Sequence, residues 1–228
     1  TRKLFKVCVM RHIPIFTFIN KMDREARDTF ELLDDIEKEL GIATCPVNWP
    51  IGSGKAFKGV YDREHREIEL FSDTQKGTKM GEVKKISLDD PELSTLIEED
   101  ALSLLEEEVE LLDGASAEFD QELVSKGELS PVFFGSALTN FGVETFLQHF
   151  LSMTSSPLPR KSDKGEIDPM TEKDFSAFVF KIQANMNKAH RDRIAFMRIC
   201  SGEFEAGMEV YHMQGGRTVS YTHLRAHE

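Results

Sequence analysis

The chain has 228 residues, 40% hydrophobic and 30% charged, with a formal net charge of −12. That length permits one large or two small domains, and the apolar fraction is enough for a packed core. The acidic balance argues against broad, sequence-independent binding to nucleic acid, and no apolar run approaches the roughly 18 residues of a transmembrane helix.

Residues 1–10 begin without a methionine, and Leu4, Val7 and Cys8 mark one face of a helix. The pattern predicts a chain that starts inside a helix, with a truncated N-terminus. No signal-peptide pattern opens it. Cys8, Cys45 and Cys200 form no C-x-x-C and are odd in number, which argues against a disulfide framework. Each reads as a small buried hydrophobe in a reduced, cytoplasmic setting.

Residues 13–23 organise the chain: a β-branched and aromatic run ends abruptly in Asn20-Lys21-Met22-Asp23. A buried parallel strand leaving a sheet has this form, and ligands of open α/β sheets sit just past such strand ends. The tetrapeptide suits guanine. A carboxylate accepts two hydrogen bonds side by side, and guanine offers its ring N1–H and exocyclic amino group. Adenine offers neither at those positions and would leave a buried Asp23 unpaired, at about 1–3 kcal/mol or more. Asn20 suits the N7 edge and can tie neighbouring loops; the Lys21 stem can lie over the base. The plainer alternative is a polar strand end followed by a helix cap.

A helix is predicted over residues 29–40, with Asp28 and Glu31 at capping-box spacing, Phe30, Leu33, Ile36 and Leu40 on its apolar face, and Gly41 as its stop. Gly52-Ser53-Gly54-Lys55 resembles the end of a phosphate loop, but Trp49 stands where the first glycine belongs and Ala56 where a magnesium-binding hydroxyl belongs, so a phosphate site is rejected. Residues 47–71 read as short strands, with residues 57–61 and 67–71 flanking a turn. Residues 90–114 give the longest helical signal, from Leu93, Leu96, Ile97, Ala101, Leu104, Leu105, Leu111 and Leu112. Residues 92–128 hold thirteen Asp or Glu and one Lys, either a solvated face or a docking face for a basic partner.

A second apolar strand, Pro131-Val132-Phe133-Phe134, ends in Gly135-Ser136-Ala137-Leu138, and a helix is predicted over residues 141–153. Residues 155–172 turn polar and carry Pro157, Pro159, Gly165 and Pro169, the composition of a linker. Residues 175–184, 194–199 and 208–213 then read as strands of a separate β-barrel.

Asn-Lys-x-Asp followed by a strand and Ser-Ala-x resembles the two base-reading motifs of P-loop GTPases. In that family the backbone N–H at the Ala137 position meets guanine O6, and the Ser136 side chain braces the first loop; Leu138 completes the motif. Asp23 and Ser136 have 112 residues between them, far more than a minimal GTPase needs, which implies an insertion over about residues 47–128. Large translational GTPases resembling elongation factor G carry such an insertion ahead of a β-barrel domain. The runs at residues 18–24, 49–52, 57–61, 131–138, 178–186 and 190–198 resemble the bacterial peptide chain release factor 3 family most closely. The likeness spans residues 1–219.

The resemblance implies the C-terminal part of an α/β P-loop GTPase-type domain, with an α+β insertion subdomain, over residues 1–154, a linker over 155–172 and an incomplete β-barrel over 173–219. Residues 220–228 look like a non-native tail; their His223 and His227 have metal-ligand spacing but lack a zincin glutamate. It implies binding of GTP and GDP, with Mg2+ ligands, phosphate loop and switches outside this chain, so that these residues alone are predicted inactive. The whole protein would be a ribosome-dependent GTPase of translation termination, promoting dissociation of codon-reading release factors, with the acidic insertion contacting the ribosomal stalk and no membrane partner. An elongation-factor-G-like or ribosome-protection GTPase, and a non-enzymatic binding module, remain alternatives.

Overall fold

The computed structural model describes residues 2–71, 83–163, 165–184 and 193–220 and divides into two units, Thr1–Thr154 and Ser155–Glu228. In the first unit α1 (Arg2–Met10) leads to β1 (Thr17–Ile19), and α2 (Thr29–Leu40) to β2 (Ala43–Pro46). The β1 strand is shorter than the apolar run that contains it. Pro14 has no N–H for a ladder, and the Ile13 N–H is spent on the Cys8 carbonyl at 3.0 Å. The α2 helix forms where its signals place it: the Asp28 side chain accepts the Glu31 N–H, and Gly41 closes the helix in the left-handed conformation.

The region between β2 and β7 supplies β3 (Asn48–Ile51), β4 (Gly59–Asp62), β5 (Glu67–Phe71) and β6 (Val83–Ser87), a four-stranded antiparallel sheet in that order. It continues through α3 (Leu93–Leu96), α4 (Glu99–Ala115) and α5 (Gln121–Lys126), and returns to β7 (Leu129–Phe134) and α6 (Val143–Met153). The β7 strand is the middle of a parallel sheet ordered β1-β7-β2, and all six of its residues are buried. The core is continuous between the parallel sheet and this region. The Trp49 ring lies 4.8 Å from Phe30 of α2 and 5.3 Å from Phe134 of β7, and its Nε1–H donates to Glu108 of α4 at 2.8 Å.

The single helix expected over residues 90–114 is two. Ile97 and Glu98 are extended. The hydroxyls of Ser94 and Thr95 donate back to the Pro91 and Glu92 carbonyls, a local alternative to helical bonding, and the break buries Ile97. On α4 the inward face is Leu105, Val109 and Leu112, while Leu104 and Leu111 are 54% and 58% exposed.

In the second unit, the stretch expected as an irregular linker contains a short hairpin, β8 (Arg160–Ser162) with β9 (Gly165–Ile167). Next come the antiparallel pairs β10 (Ser176–Ala184) with β11 (Arg193–Ser201), and β12 (Glu209–His212) with β13 (Arg217–Ser220). The β13 strand had no sequence expectation, and it takes in Ser220, which pairs with Glu209. Residues 185–192, within the runs that carry the resemblance, lie outside the described residues, as do His223 and His227. Among the described residues no helix is long and apolar enough to cross a membrane.

Candidate guanine-nucleotide site

The parallel pairing of β1 with β7 sets Ile19 opposite Phe134, so both motifs leave the sheet side by side. The Gly135 N–H donates to the Ile19 carbonyl at 3.1 Å, and the Met22 N–H donates to the Gly135 carbonyl at 3.1 Å. Only glycine fits at residue 135, because a Cβ there would stand 2.4 Å from the Phe141 carbonyl oxygen and 2.8 Å from the Phe18 ring. The side chains then cross-link the loops. Ser136 Oγ donates to Asp23 Oδ1 at 2.6 Å, and the Ala137 N–H donates to Asn20 Oδ1 at 2.9 Å.

Asn20 Oδ1 also accepts the Lys21 N–H at 2.7 Å, and Lys21 is held at φ 74°, a region that costs a non-glycine residue about 1–2 kcal/mol. Met22 is 2% exposed and packs in the core, anchoring the loop from below. Asn20, Lys21, Ala137 and Leu138 are exposed, Asp23 is half-buried and Ser136 fully buried. In one respect the arrangement differs from the expectation: the Ala137 N–H assigned to guanine O6 is engaged with Asn20.

Two supports escaped sequence reasoning. The buried Asn48 side chain donates to the Phe134 carbonyl at 3.1 Å and accepts the Phe134 N–H at 2.7 Å, fixing the last residue of β7. The available signal was an amide inside the apolar run Val47-Asn48-Trp49-Pro50-Ile51. Beneath the first motif lies the Gly-Ser-Gly-Lys loop, where the Gly54 N–H is shared between the Met22 carbonyl at 2.9 Å and the Arg24 carbonyl at 3.1 Å. The loop runs into a three-residue 3-10 turn, Gly54–Ala56. With the Gly54 N–H spent on carbonyls and Ala56 in place of a hydroxyl residue, it fits neither phosphate nor Mg2+.

Compared with known proteins, residues 1–156 match the family model of the elongation factor Tu GTP binding domain, and residues 174–227 match that of elongation factor G domain 2. Peptide chain release factor 3 of Symbiobacterium thermophilum is 55% identical over 219 residues, covering 96% of this chain and 41% of that protein. The proteins of the same name from Synechococcus elongatus and Gloeobacter violaceus are each 53% identical over 96% of this chain, which spans 39% and 41% of them. The chain thus spans about two-fifths of the curated relatives' length. A solved structure, that of ttk003000868 from Thermus thermophilus, aligns with a TM-score of 0.64 at 20% identity, covering 98% of this chain and 32% of that one. At that identity the likeness speaks to fold alone.

Proposed function

The chain belongs to the elongation factor Tu GTP-binding domain family, and from that premise we propose that it carries the base-recognition part of a ribosome-dependent GTPase of translation termination. The whole protein binds GTP and GDP, acts in the cytoplasm and promotes departure of codon-reading release factors from the ribosome. The observation that carries this reading is the interlock of the two loops, Ser136 Oγ on Asp23 Oδ1 and the Ala137 N–H on Asn20 Oδ1. It arranges a carboxylate and a backbone donor at one strand end.

In this reading the Asp23 carboxylate accepts guanine N1–H and the 2-amino group while Ser136 holds its orientation. The Ala137 N–H exchanges Asn20 for guanine O6, the freed Asn20 amide faces the N7 edge, and the Lys21 stem covers the base. Leu138 flanks the pocket, and Met22 keeps the loop seated. Phosphate binding and Mg2+ coordination, which supplies charge neutralisation at the phosphates, fall to residues outside this chain. The acidic outer face of α4 contacts the ribosome, at its stalk protein.

Replacing Asp23 by Asn in the complete protein tests the base assignment. An amide donates to the 2-carbonyl of xanthine but cannot accept the two guanine donors. GDP affinity should fall roughly 100-fold, about 3 kcal/mol for charged hydrogen bonds, while XDP affinity rises. Competition of GDP against XDP on both proteins reads this directly, and an unchanged preference would remove Asp23 from base reading.

A further inference from the structure

The end of β4 and the turn that follows it carry Asp62, Glu64 and His65, and α6 brings His149 against them. Asp62 and His149 are buried, at 2% and 4% exposure, whereas the His65 ring is largely open to solvent. Asp62 Oδ1 accepts the backbone N–H groups of Glu64 and His65 at 3.0 and 3.2 Å. That fixes the carboxylate so that Oδ2 faces two imidazole nitrogens, His65 Nδ1 and His149 Nε2, each at 2.9 Å. The three atoms lie within 4.8 Å of one another. Behind His149, its Nδ1 lies 3.0 Å from Glu64 Oε2.

Two neutral imidazoles and a carboxylate oxygen are a donor set that suits Zn2+. A carboxylate on the far nitrogen of a ligating histidine sets the tautomer and raises ligand basicity, and Glu64 stands in that place. A tetrahedral ion with bonds of about 2.0–2.1 Å keeps its ligands about 3.3 Å apart. The present 2.9 Å separations therefore need to open by a few tenths of an ångström: the exposed His65 side chain is free to give, and the buried His149–Asp62 contact has to lengthen within its packing.

We propose that Asp62, His65 and His149 form a binding site for one Zn2+-class ion, with Glu64 behind His149 and water in the fourth position. The site stands apart from the base-reading loops and from the function proposed above. It is a structural clamp: the ion ties the insertion's β4–β5 turn to α6, the helix that follows the Ser136–Phe141 loop. The hydrogen bond from Thr145 of α6 to Glu69 of the adjoining β5 holds α6 to this sheet without metal, so ligand variants should keep the fold.

Titration of the 228-residue chain with Co2+ tests this. The expected result is one equivalent bound with the intense visible absorption of four-coordinate Co2+, displaced by Zn2+. His65→Asn, at the exposed position, should weaken binding at least 100-fold with an unchanged circular dichroism spectrum, and His149→Gln should do the same. Glu64→Gln should weaken it about tenfold to 100-fold, as loss of a metal ligand's hydrogen-bonding partner does. The double variant His223→Asn, His227→Asn should leave the spectrum intact. An unchanged spectrum in His65→Asn, loss of the spectrum in the double variant, or no four-coordinate spectrum in the unmodified chain would overturn the assignment and leave a hydrogen-bonded clamp.

Discussion

Glu108 shows how one residue can leave its class. It sits among the acidic residues of α4, yet its Oε2 accepts the Trp49 indole N–H at 2.8 Å. Burial raises its pKa above the ordinary value of 4.5, and the Trp49 bond opposes this only in part. A carboxyl whose folded pKa is raised binds its proton more tightly in the folded state. Its contribution to stability is then greatest below the unfolded value and is lost as pH rises through the folded one. Glu108→Gln keeps an acceptor for Trp49 and removes the ionisation cost. The variant should therefore be more stable than the parent at pH 7, and the gap should close below its ordinary value of 4.5. Urea titrations across that range check the sign; a variant less stable at pH 7 would contradict it. The bracing of Asp23 by Ser136 and the tying of the two loops by Asn20 were legible because each motif is local in sequence. The roles of Asn48, Gly54, Glu108 and His149 were not, because each depends on a partner brought near only by register or packing.

At the scale of elements, apolar periodicity and caps placed α2, β4, β5 and β7 well, since each signal lies within the element it describes. The break between α3 and α4 was hidden, because Ile97 continues the apolar pattern whether the helix persists or not. The support that the Gly52–Lys55 loop gives the Asn20–Asp23 loop was invisible in the sequence, because it depends on the position of β1. The geometry of the Gly52–Lys55 loop gives a test. Gly52 has φ 75°, and a Cβ there would stand 2.4 Å from the Ala56 carbonyl oxygen. Gly52→Ala should destabilise the chain by about 1–3 kcal/mol. Because the adjacent Gly54 N–H holds the Met22 and Arg24 carbonyls, the same change in the complete protein should weaken GDP binding. Thermal unfolding and GDP titration on one preparation separate the effects. Lost stability with unchanged GDP affinity would show that the loop does not support base recognition.

For the whole molecule, the spacing of the two motifs implied an intervening region, but not that its Trp49 would pack against Phe30 of α2 and Phe134 of the parallel sheet. Packing also divides the acidic residues. Glu108 turns inward, while Glu106, Glu107 and Glu110 of α4 are exposed, beside the exposed Leu104 and Leu111. A surface that joins apolar side chains to one sign of charge suits a basic partner, consistent with the ribosomal contact proposed above. Charge complementarity chiefly raises the association rate, and at about 0.1 M salt it is screened beyond roughly 10 Å. Reversing Glu106, Glu107 and Glu110 to Lys in the complete protein should therefore slow ribosome association severalfold at low salt and much less at high salt. Glu108 must be left in place, or the packing of Trp49 would confound the result. Nucleotide affinity should stay unchanged, because the loops proposed to read the base leave the parallel sheet rather than α4. The competing account is that these carboxylates only solubilise a long helix. Stopped-flow association at two ionic strengths decides between them: a triple variant that matches the parent at both, with its fold intact by circular dichroism, makes the acidic face ordinary solvated surface.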